Sequence, residues 1–223
     1  MEKIIIIPAR KNSKRLINKN IKILGDISLI EHTINFAKKT GYKTFVTSDS
    51  DTIGEICKKY KFLNFHKRED YLSQDNTPTI DVLIDIIKKF SLFNNTIILL
   101  QPTSPFRSLT TLKNCLDNFD IYKDTVCTIE KIINPRIGKI VNNIYKPINY
   151  KIGNRTQDIE ILYKENGNIY IFNSKTLLEN KYYKENMFSV EIKNEEVIDI
   201  DEEKDFLFAE SLIKLYNKNG NRD

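Results

Sequence analysis

A cation-rich loop follows the first strand-like segment of the chain. Four consecutive isoleucines, Ile4 to Ile7, precede Pro8 and a polar stretch that runs from Ala9 to Asn20. The cations and hydrogen-bonding side chains of this stretch are Arg10, Lys11, Asn12, Ser13, Lys14, Arg15, Lys19 and Asn20. Backbone N–H groups and mobile cations together offset the clustered negative charges of phosphate oxygens. The loop therefore indicates a polyphosphate site, although its charge alone also fits a solvated surface loop, the commoner case.

Two carboxylates near the end of the sequence have a spacing that suits a metal ion. Asp199 and Asp201 alternate with Ile198 and Ile200. In an extended segment, residues two apart face the same side, so we expect both carboxylates on one side and both isoleucines in the core. Neighbouring carboxylates raise each other's pKa unless a cation lies between them. Because Mg²⁺ binds through one or two carboxylates plus phosphate oxygens, the pair predicts a Mg²⁺ site, with Mn²⁺ as a substitute. An acidic helix N-terminus explains the two glutamates that follow, but not this alternation.

A third polar segment follows the apolar run at 96–100. Its sequence is Gln101-Pro-Thr-Ser-Pro-Phe-Arg107, in which two prolines enclose a threonine and a serine and a glutamine precedes them. The prolines restrict the backbone of an irregular loop, which suits a loop that must hold a fixed shape. A tight turn without a ligand is the alternative explanation.

Alternating strand and helix patterns predict how these three segments are positioned. Strand-like runs occur at 4–7, 44–47, 62–65, 96–100, 125–129, 166–172 and 188–192, and helical patterns at 29–40, 53–60, 80–90, 109–119 and 204–216. This alternation predicts one α/β domain with a mostly parallel sheet. Open sheets of this kind bind ligands at the carboxyl ends of their strands. We therefore expect the basic loop, the 101–107 loop and the aspartate pair to meet at that edge.

Composition excludes several other classes of protein. The chain has 223 residues, a formal net charge of +5 and 40% hydrophobic residues, which suit one domain with a sizeable core. The positive excess is scattered, and no RNA-recognition motif or Gly-x-Gly-x-x-Gly sequence is present, so we expect neither a nucleic-acid partner nor a dinucleotide cofactor. Three cysteines in apolar surroundings suggest reduced thiols and a cytoplasmic location. No signal peptide and no membrane insertion are expected.

Four segments together resemble the acylneuraminate cytidylyltransferases, the enzymes that make CMP-activated sialic acids. These segments are Pro8-Ala-Arg-x-x-Ser-Lys with Lys19-Asn20, Leu99-Leu-Gln-Pro-Thr-Ser-Pro-Phe-Arg107, Asn166-Gly-Asn-Ile-Tyr-Ile171 and Asp199-Ile-Asp-x-x-x-Asp-Phe206. The resemblance implies a Rossmann-like three-layer sandwich forming a single nucleotidyltransferase domain over 1–223. It also implies a homodimer, joined by a protruding dimerisation and sugar-site arm at about 134–187. The implied reaction is the activation of an acidic nonulosonic sugar, of the sialic, legionaminic or pseudaminic type, by CTP.

The resemblance also implies roles for individual residues. The implied catalytic residues are Arg10, Lys14, Asp199 and Asp201, and the last two are the implied metal ligands. The implied nucleotide-binding residues are Ala9, Arg10, Asn12, Ser13, Lys14, Asn20, Arg68 and Thr79. The implied sugar-binding residues are Gln101, Thr103, Arg155, Lys164, Asn166, Tyr170, Tyr182 and Tyr183.

Several positions depart from the family pattern. Lys11-Asn12 replaces a common Gly-Gly, Arg155 stands one residue early relative to the family's Pro-Arg-Gln, and Lys164 stands where several members have arginine. Lysine cannot grip a carboxylate in the bidentate way that arginine can, so the identity of the sugar stays open. Four alternatives remain: an octulosonate cytidylyltransferase, another sugar nucleotidyltransferase, a metal-dependent glycosyltransferase, which also uses an Asp-x-Asp sequence, and a non-catalytic nucleotide-binding module. The amino-terminal loop lacks the Ser-Thr-Arg-Leu-Pro sequence that is usual in the first.

Overall fold

The first strand lies at the centre of the sheet. A computed structural model describes residues 1–122, 125–179 and 187–218. Within them, β1 (Lys3–Pro8) pairs in parallel with β4 (Lys43–Ser48) on one side and with β6 (Thr96–Leu99) on the other. Ile4 and Ile6 pack on one face of the sheet, whereas Ile5 and Ile7 pack on the other. The isoleucine run is therefore buried on both faces, as its sequence predicts.

The main sheet of the described residues has seven strands in the order β11-β7-β10-β6-β1-β4-β5. The remaining strands of this sheet are β5 (Leu63–Lys67), β7 (Val126–Lys131), β10 (Tyr163–Asn173) and β11 (Phe188–Glu191). β10 runs antiparallel to both of its neighbours, and the other pairings are parallel. The expectation of a mostly parallel sheet is confirmed.

Helices cover both faces of this sheet. One face packs against α1 (Leu29–Thr40), α2 (Asp51–Lys58) and α4 (Leu109–Tyr122), and the other against α3 (Thr79–Lys89) and α5 (Ser174–Leu178). Gly41 ends α1 in the left-handed conformation, with φ of 70°. The three-layer sandwich is thus confirmed. The three cysteines are free and buried in this core.

The last helix covers one end of the sandwich. α6 (Glu203–Lys218) packs near the short hairpin β2 (Ile23–Leu24) and β3 (Ile27–Ser28). A third apolar cluster joins the basic loop, this hairpin and the acidic segment through Leu16, Leu24, Ile198, Ile200 and Phe206. The first and last quarters of the chain are therefore packed together. No helix in the described ranges combines the length and apolarity needed to cross a bilayer.

A second hairpin lies outside the main sheet. It consists of β8 (Gly138–Val141) and β9 (Ile144–Pro147), which pair only with each other among the described strands. The region predicted as an arm, at about 134–187, contains this hairpin, but it also contains β10 and α5, which belong to the sandwich. Among the described residues of this region, those that lie outside the sandwich precede Tyr163, because β10 returns the chain to the sheet.

Candidate active site

The basic loop is held over the carboxyl edge of the sheet by hydrogen bonds at both ends. The Ala9 N–H donates to the carbonyl of Thr47 (2.9 Å), which extends the pairing of β1 with β4. The Lys11 N–H donates to Asp49 Oδ1 (2.6 Å). At the far end, the buried Asn20 amide donates to the carbonyl of Arg10 (2.9 Å). These bonds fix the loop backbone and leave its long cationic side chains free to reach across the edge.

The cations of this loop contact two carboxylates that are distant in sequence. Asp75 binds Arg10 Nη1 at 2.6 Å and Lys14 Nζ at 2.7 Å. Asp201 binds Arg15 Nη2 at 2.7 Å and Lys19 Nζ at 2.9 Å. The hydrogen bond from Lys14 is the main reason that the pKa of Asp75 lies below its ordinary value. The loop therefore connects the aspartate pair to the segment that follows β5.

The aspartate pair approaches the edge of the sheet as an extended segment. The Ile200 N–H donates to the carbonyl of Thr103 (2.8 Å), and the side chains of Ile198 and Ile200 are buried as their alternation predicts. Asp199 faces the same cleft as Asp201. Burial raises the pKa of Asp199, and the nearby charge of Asp201 raises it further, whereas a hydrogen bond from Thr103 opposes both effects.

The Asp199 carboxylate has spare capacity for a metal ion. Its Oδ1 atom is buried and has no hydrogen-bond partner among the described residues. No group of three or more His, Cys, Asp or Glu residues in those residues is placed so that it could hold a metal ion, so protein ligands alone do not surround a metal there. An ion held by two carboxylates and completed by phosphate oxygens and water fits this donor set.

The two ends of the chain line one cleft of about 690 Å³. The predicted site residues among its lining residues are Arg10, Ser13, Lys14, Asn20, Arg68, Thr79, Gln101, Thr103, Asp199 and Asp201. Arg68 is buried, which lowers its pKa to about 10, and it donates to the carbonyl of Thr47 (2.8 Å). A polyanion in this cleft would meet cations from the basic loop and the carboxylates of the acidic segment at once.

Comparisons with known proteins identify the family. The family model described as cytidylyltransferase matches residues 4–220. This chain belongs to the cytidylyltransferase family. It is 32% identical to the CMP-N,N'-diacetyllegionaminic acid synthase of Legionella pneumophila, across 96% of this chain and 97% of that protein. It is 30% identical to an N-acylneuraminate cytidylyltransferase of Streptococcus agalactiae, across 93% of this chain but only 52% of that longer protein. The resemblance to the acylneuraminate cytidylyltransferases is confirmed.

Solved structures support the fold of this cytidylyltransferase. The CMP:2-keto-3-deoxy-manno-octonic acid synthetase complexed with CTP superposes with a TM-score of 0.71 at 15% identity, covering 96% of this chain and 99% of that one. A 4-diphosphocytidyl-2C-methyl-D-erythritol synthase superposes with a TM-score of 0.70 at 8% identity, covering 95% and 99% respectively. At these identities the likeness concerns the architecture alone.

The residues predicted to bind sugar are only partly brought together in this cytidylyltransferase. Gln101 and Thr103 line the cleft. Asn166 is buried and accepts a hydrogen bond from Thr128 Oγ1 (2.8 Å), while its Nδ2 atom has no partner among the described residues. The hydroxyl of Tyr170 donates to Glu165 (2.7 Å), and burial raises the pKa of this phenol.

Other predicted residues lie away from the cleft or outside the described residues. Arg155 is exposed and forms an ion pair with Asp158, and Lys164 forms one with Glu130 at 2.8 Å. Neither Arg155 nor Lys164 lines the cleft, and neither do the predicted nucleotide ligands Ala9 and Asn12. Tyr182 and Tyr183 lie outside the described residues. The roles assigned to all of these residues stay predictions.

Arg107 supports the site, and sequence reasoning missed its role. This half-buried guanidinium donates to the carbonyl of Gln101 (2.5 Å), the carbonyl of Asn168 (3.0 Å) and Thr33 Oγ1 (3.1 Å). Burial lowers its pKa to about 9, against the attraction of Asp199 and Glu196. It joins the 101–107 loop to β10 and α1, so it supports the backbone that carries Gln101. Its place at the end of the proline-rich motif was the available signal.

Asp75, Arg15 and Lys19 also belong to the cleft and were not predicted as site residues. Their pairing depends on contacts between residues far apart in sequence. The only local signal was that both cations lie in the basic loop.

Proposed function

We propose that this cytidylyltransferase joins CTP to an acidic nonulosonic sugar, producing the CMP-sugar and pyrophosphate. The anomeric hydroxyl of the sugar attacks the α-phosphorus of CTP, the bond from the α-phosphorus to the bridging oxygen breaks, and pyrophosphate leaves. The observation that carries the proposal is that the basic loop and the aspartate pair line the same cleft in a chain of this family.

Positioning and charge neutralisation are the main requirements of nucleotidyl transfer. Arg10 and Lys14 would bind the phosphates that leave, because their side chains project from a loop whose backbone is fixed. Arg68 is already held at the base of the cleft by Thr47, so it would meet the nucleotide with little loss of side-chain freedom. Gln101 and Thr103 would contact the sugar from the proline-restricted loop.

We propose Mg²⁺ as the metal, with Mn²⁺ as a substitute, held by Asp199 and Asp201. The free Oδ1 atom of Asp199 and the like charge beside it both favour a divalent cation at this place. A bound Mg²⁺ would polarise the α-phosphate and lower the pKa of the attacking hydroxyl. Arg15 and Lys19 hold the Asp201 carboxylate from the side of the basic loop and so orient it.

We also propose that the protein forms a homodimer through the β8–β9 hairpin region. Apolar side chains there are exposed, with Ile133 at 85%, Ile140 at 74% and Ile152 at 83%. Several exposed isoleucines on one protruding element are typical of an interaction surface. Light scattering during gel filtration tests this, and a monomeric active protein would contradict it.

We also propose a cytoplasmic location, because the three cysteines are free and buried.

Pyrophosphate release with CTP, Mg²⁺ and a panel of sugars tests the activity. The panel should contain sialic, legionaminic and pseudaminic acids together with an octulosonate, because these separate the proposed substrates from the main alternative. Turnover that requires a nonulosonic acid and is lost in Asp201→Asn supports the proposal. Turnover with the octulosonate alone contradicts it, and so does the absence of turnover with every sugar in the panel.

A further inference from the structure

The carboxylate of Asp75 occupies the space between the two cations expected to hold phosphate. One carboxylate oxygen lies 2.6 Å from Arg10 Nη1, and the other lies 2.7 Å from Lys14 Nζ. Each oxygen of the anion thus has its own cation, as two oxygens of a phosphate group would. A polyphosphate that uses these two cations therefore competes with a carboxylate of the protein itself.

Asp75 belongs to a segment that is anchored at its ends and exposed in the middle. Arg68 before it is buried and bound to Thr47, and α3 begins at Thr79 after it. Between them, Tyr71 is exposed and the side chain of Asp75 is 46% exposed. Ion pairs at exposed positions contribute little net free energy, because water competes for both partners. The contacts of Asp75 are therefore weak enough for a ligand to replace.

The second carboxylate of the cleft differs in this respect. Asp201 is bound by Lys19, whose side chain is only 10% exposed, and by Arg15. Its backbone N–H donates to Asp205 Oδ2 (3.1 Å) at the start of α6. Asp201 is therefore fixed by the fold, whereas the carboxylate of Asp75 is held, among the described residues, by two exposed ion pairs.

We propose that Asp75 competes with the ligand for the two cations of the polyphosphate subsite. After the reaction its carboxylate binds Arg10 and Lys14 again and so promotes the release of pyrophosphate. This inference rests on the proposed function, because it assigns those two cations to the departing phosphates. Asp75 thereby weakens the binding of any ligand whose phosphates reach both cations. A nucleoside monophosphate, which lacks the outer phosphates, does not meet this competition.

Titration calorimetry with inorganic pyrophosphate tests the competition without any turnover. Asp75→Asn keeps the size of the side chain and removes its charge, so we expect pyrophosphate to bind roughly threefold to tenfold more tightly than to the wild type. CMP should bind both proteins equally. Asp70→Asn is the matched control, since it removes the same charge from the exposed part of the same segment and no ion pair found in the described residues includes it. It should leave both affinities unchanged.

A double variant separates direct competition from a general change of charge. Where Lys14 is already alanine, Asp75 has lost one of its two partners, so the gain from Asp75→Asn should shrink. A general field effect would give the same gain in both backgrounds.

Equal or weaker pyrophosphate affinity in Asp75→Asn would overturn the inference, and so would undetectable binding to both proteins or a gain that persists in full without Lys14. Sugar-dependent turnover is measured separately, so failure of the proposed reaction remains distinguishable. If the reaction occurs, pyrophosphate should inhibit Asp75→Asn at lower concentrations than the wild type.

Discussion

Replacing Arg107 by Met should destabilise the fold and disturb the cleft together. The change removes three hydrogen bonds and leaves the carbonyls of Gln101 and Asn168 and the hydroxyl of Thr33 without this donor. A buried acceptor left unpaired costs about 1 kcal/mol or more, which gives roughly 3 kcal/mol for the set. The lowered pKa of Arg107 shows that burying the charge is itself unfavourable, so removing it offsets part of this loss. We expect a net decrease of about 2–4 kcal/mol in the free energy of unfolding.

Urea denaturation followed by circular dichroism measures this decrease. The matched control is Arg155→Met, because Arg155 is 71% exposed and its ion pair is of the weak surface type. It should change the unfolding free energy by less than about 1 kcal/mol. Arg107→Lys retains a charge, but a single amine cannot reach three acceptors in different directions. Its free energy of unfolding should therefore lie between those of Arg107→Met and the wild type.

Activity provides a second measurement of the same variant. Because Arg107 holds the carbonyl of Gln101, its loss should lower kcat/KM at temperatures where the protein remains folded. If Arg107→Met were as stable as Arg155→Met, the guanidinium would not be supporting the loop, and the reasoning would be refuted. A fully active Arg107→Met would likewise show that turnover does not depend on the support that Arg107 gives to Gln101.

Three further predictions concern the cleft. Asp199→Asn should abolish turnover yet raise the melting temperature of the metal-free protein. Burial raises the pKa of Asp199 in the fold, so its contribution to stability is lost as pH rises through that pKa. The increase in melting temperature from Asn should therefore appear above that pKa and be absent in acid. A gain that is equal at all pH values would contradict this. Lys14→Ala should raise the KM for CTP about tenfold or more in a steady-state assay. Lys11→Ala is the control, because it removes the same charge from the same loop but outside the cleft, and it should have little effect in that assay. Gly167→Ala should lower thermal stability and kcat/KM. Gly167 has φ of 73°, which strains an alanine, and a Cβ there would lie 2.8 Å from Gln101 Oε1. Unchanged kinetics would show that the Gln101 side chain is free to move.

Local sequence patterns predicted the layers of the fold because burial and periodicity are local properties. The run from Ile4 to Ile7 carries no polar side chain, so it had to be covered on both faces, and its side chains alternate between two helical layers. The direction of β10 carried no such signal. A strand has the same two-residue period whichever way it runs, so its antiparallel placement between β6 and β7 depends on the connections around it.

The composition of the cleft was predicted better than its contacts. Ile198 and Ile200 fixed which way the aspartates face, because two apolar side chains at that spacing must enter the core. The pairing of Asp75 with Arg10, and of Asp201 with Lys19, joins positions separated by 65 and 182 residues and leaves no trace in local sequence. Arg107 escaped notice for a related reason, since most arginines are exposed and nothing adjacent to Arg107 in sequence indicates its acceptors.

The packing of the basic loop against the acidic segment also affects how the protein is made. The basic loop is synthesised long before the acidic segment, so Arg15 and Lys19 gain their partner Asp201 only after residue 201 has been added. A nascent chain halted before that residue would leave Arg15 and Lys19 without this carboxylate, whereas Asp75 would already be available to Arg10 and Lys14. The cleft is thus completed only once the acidic segment has been made, so a product that stops before Asp199 lacks both carboxylates of the pair that lines it.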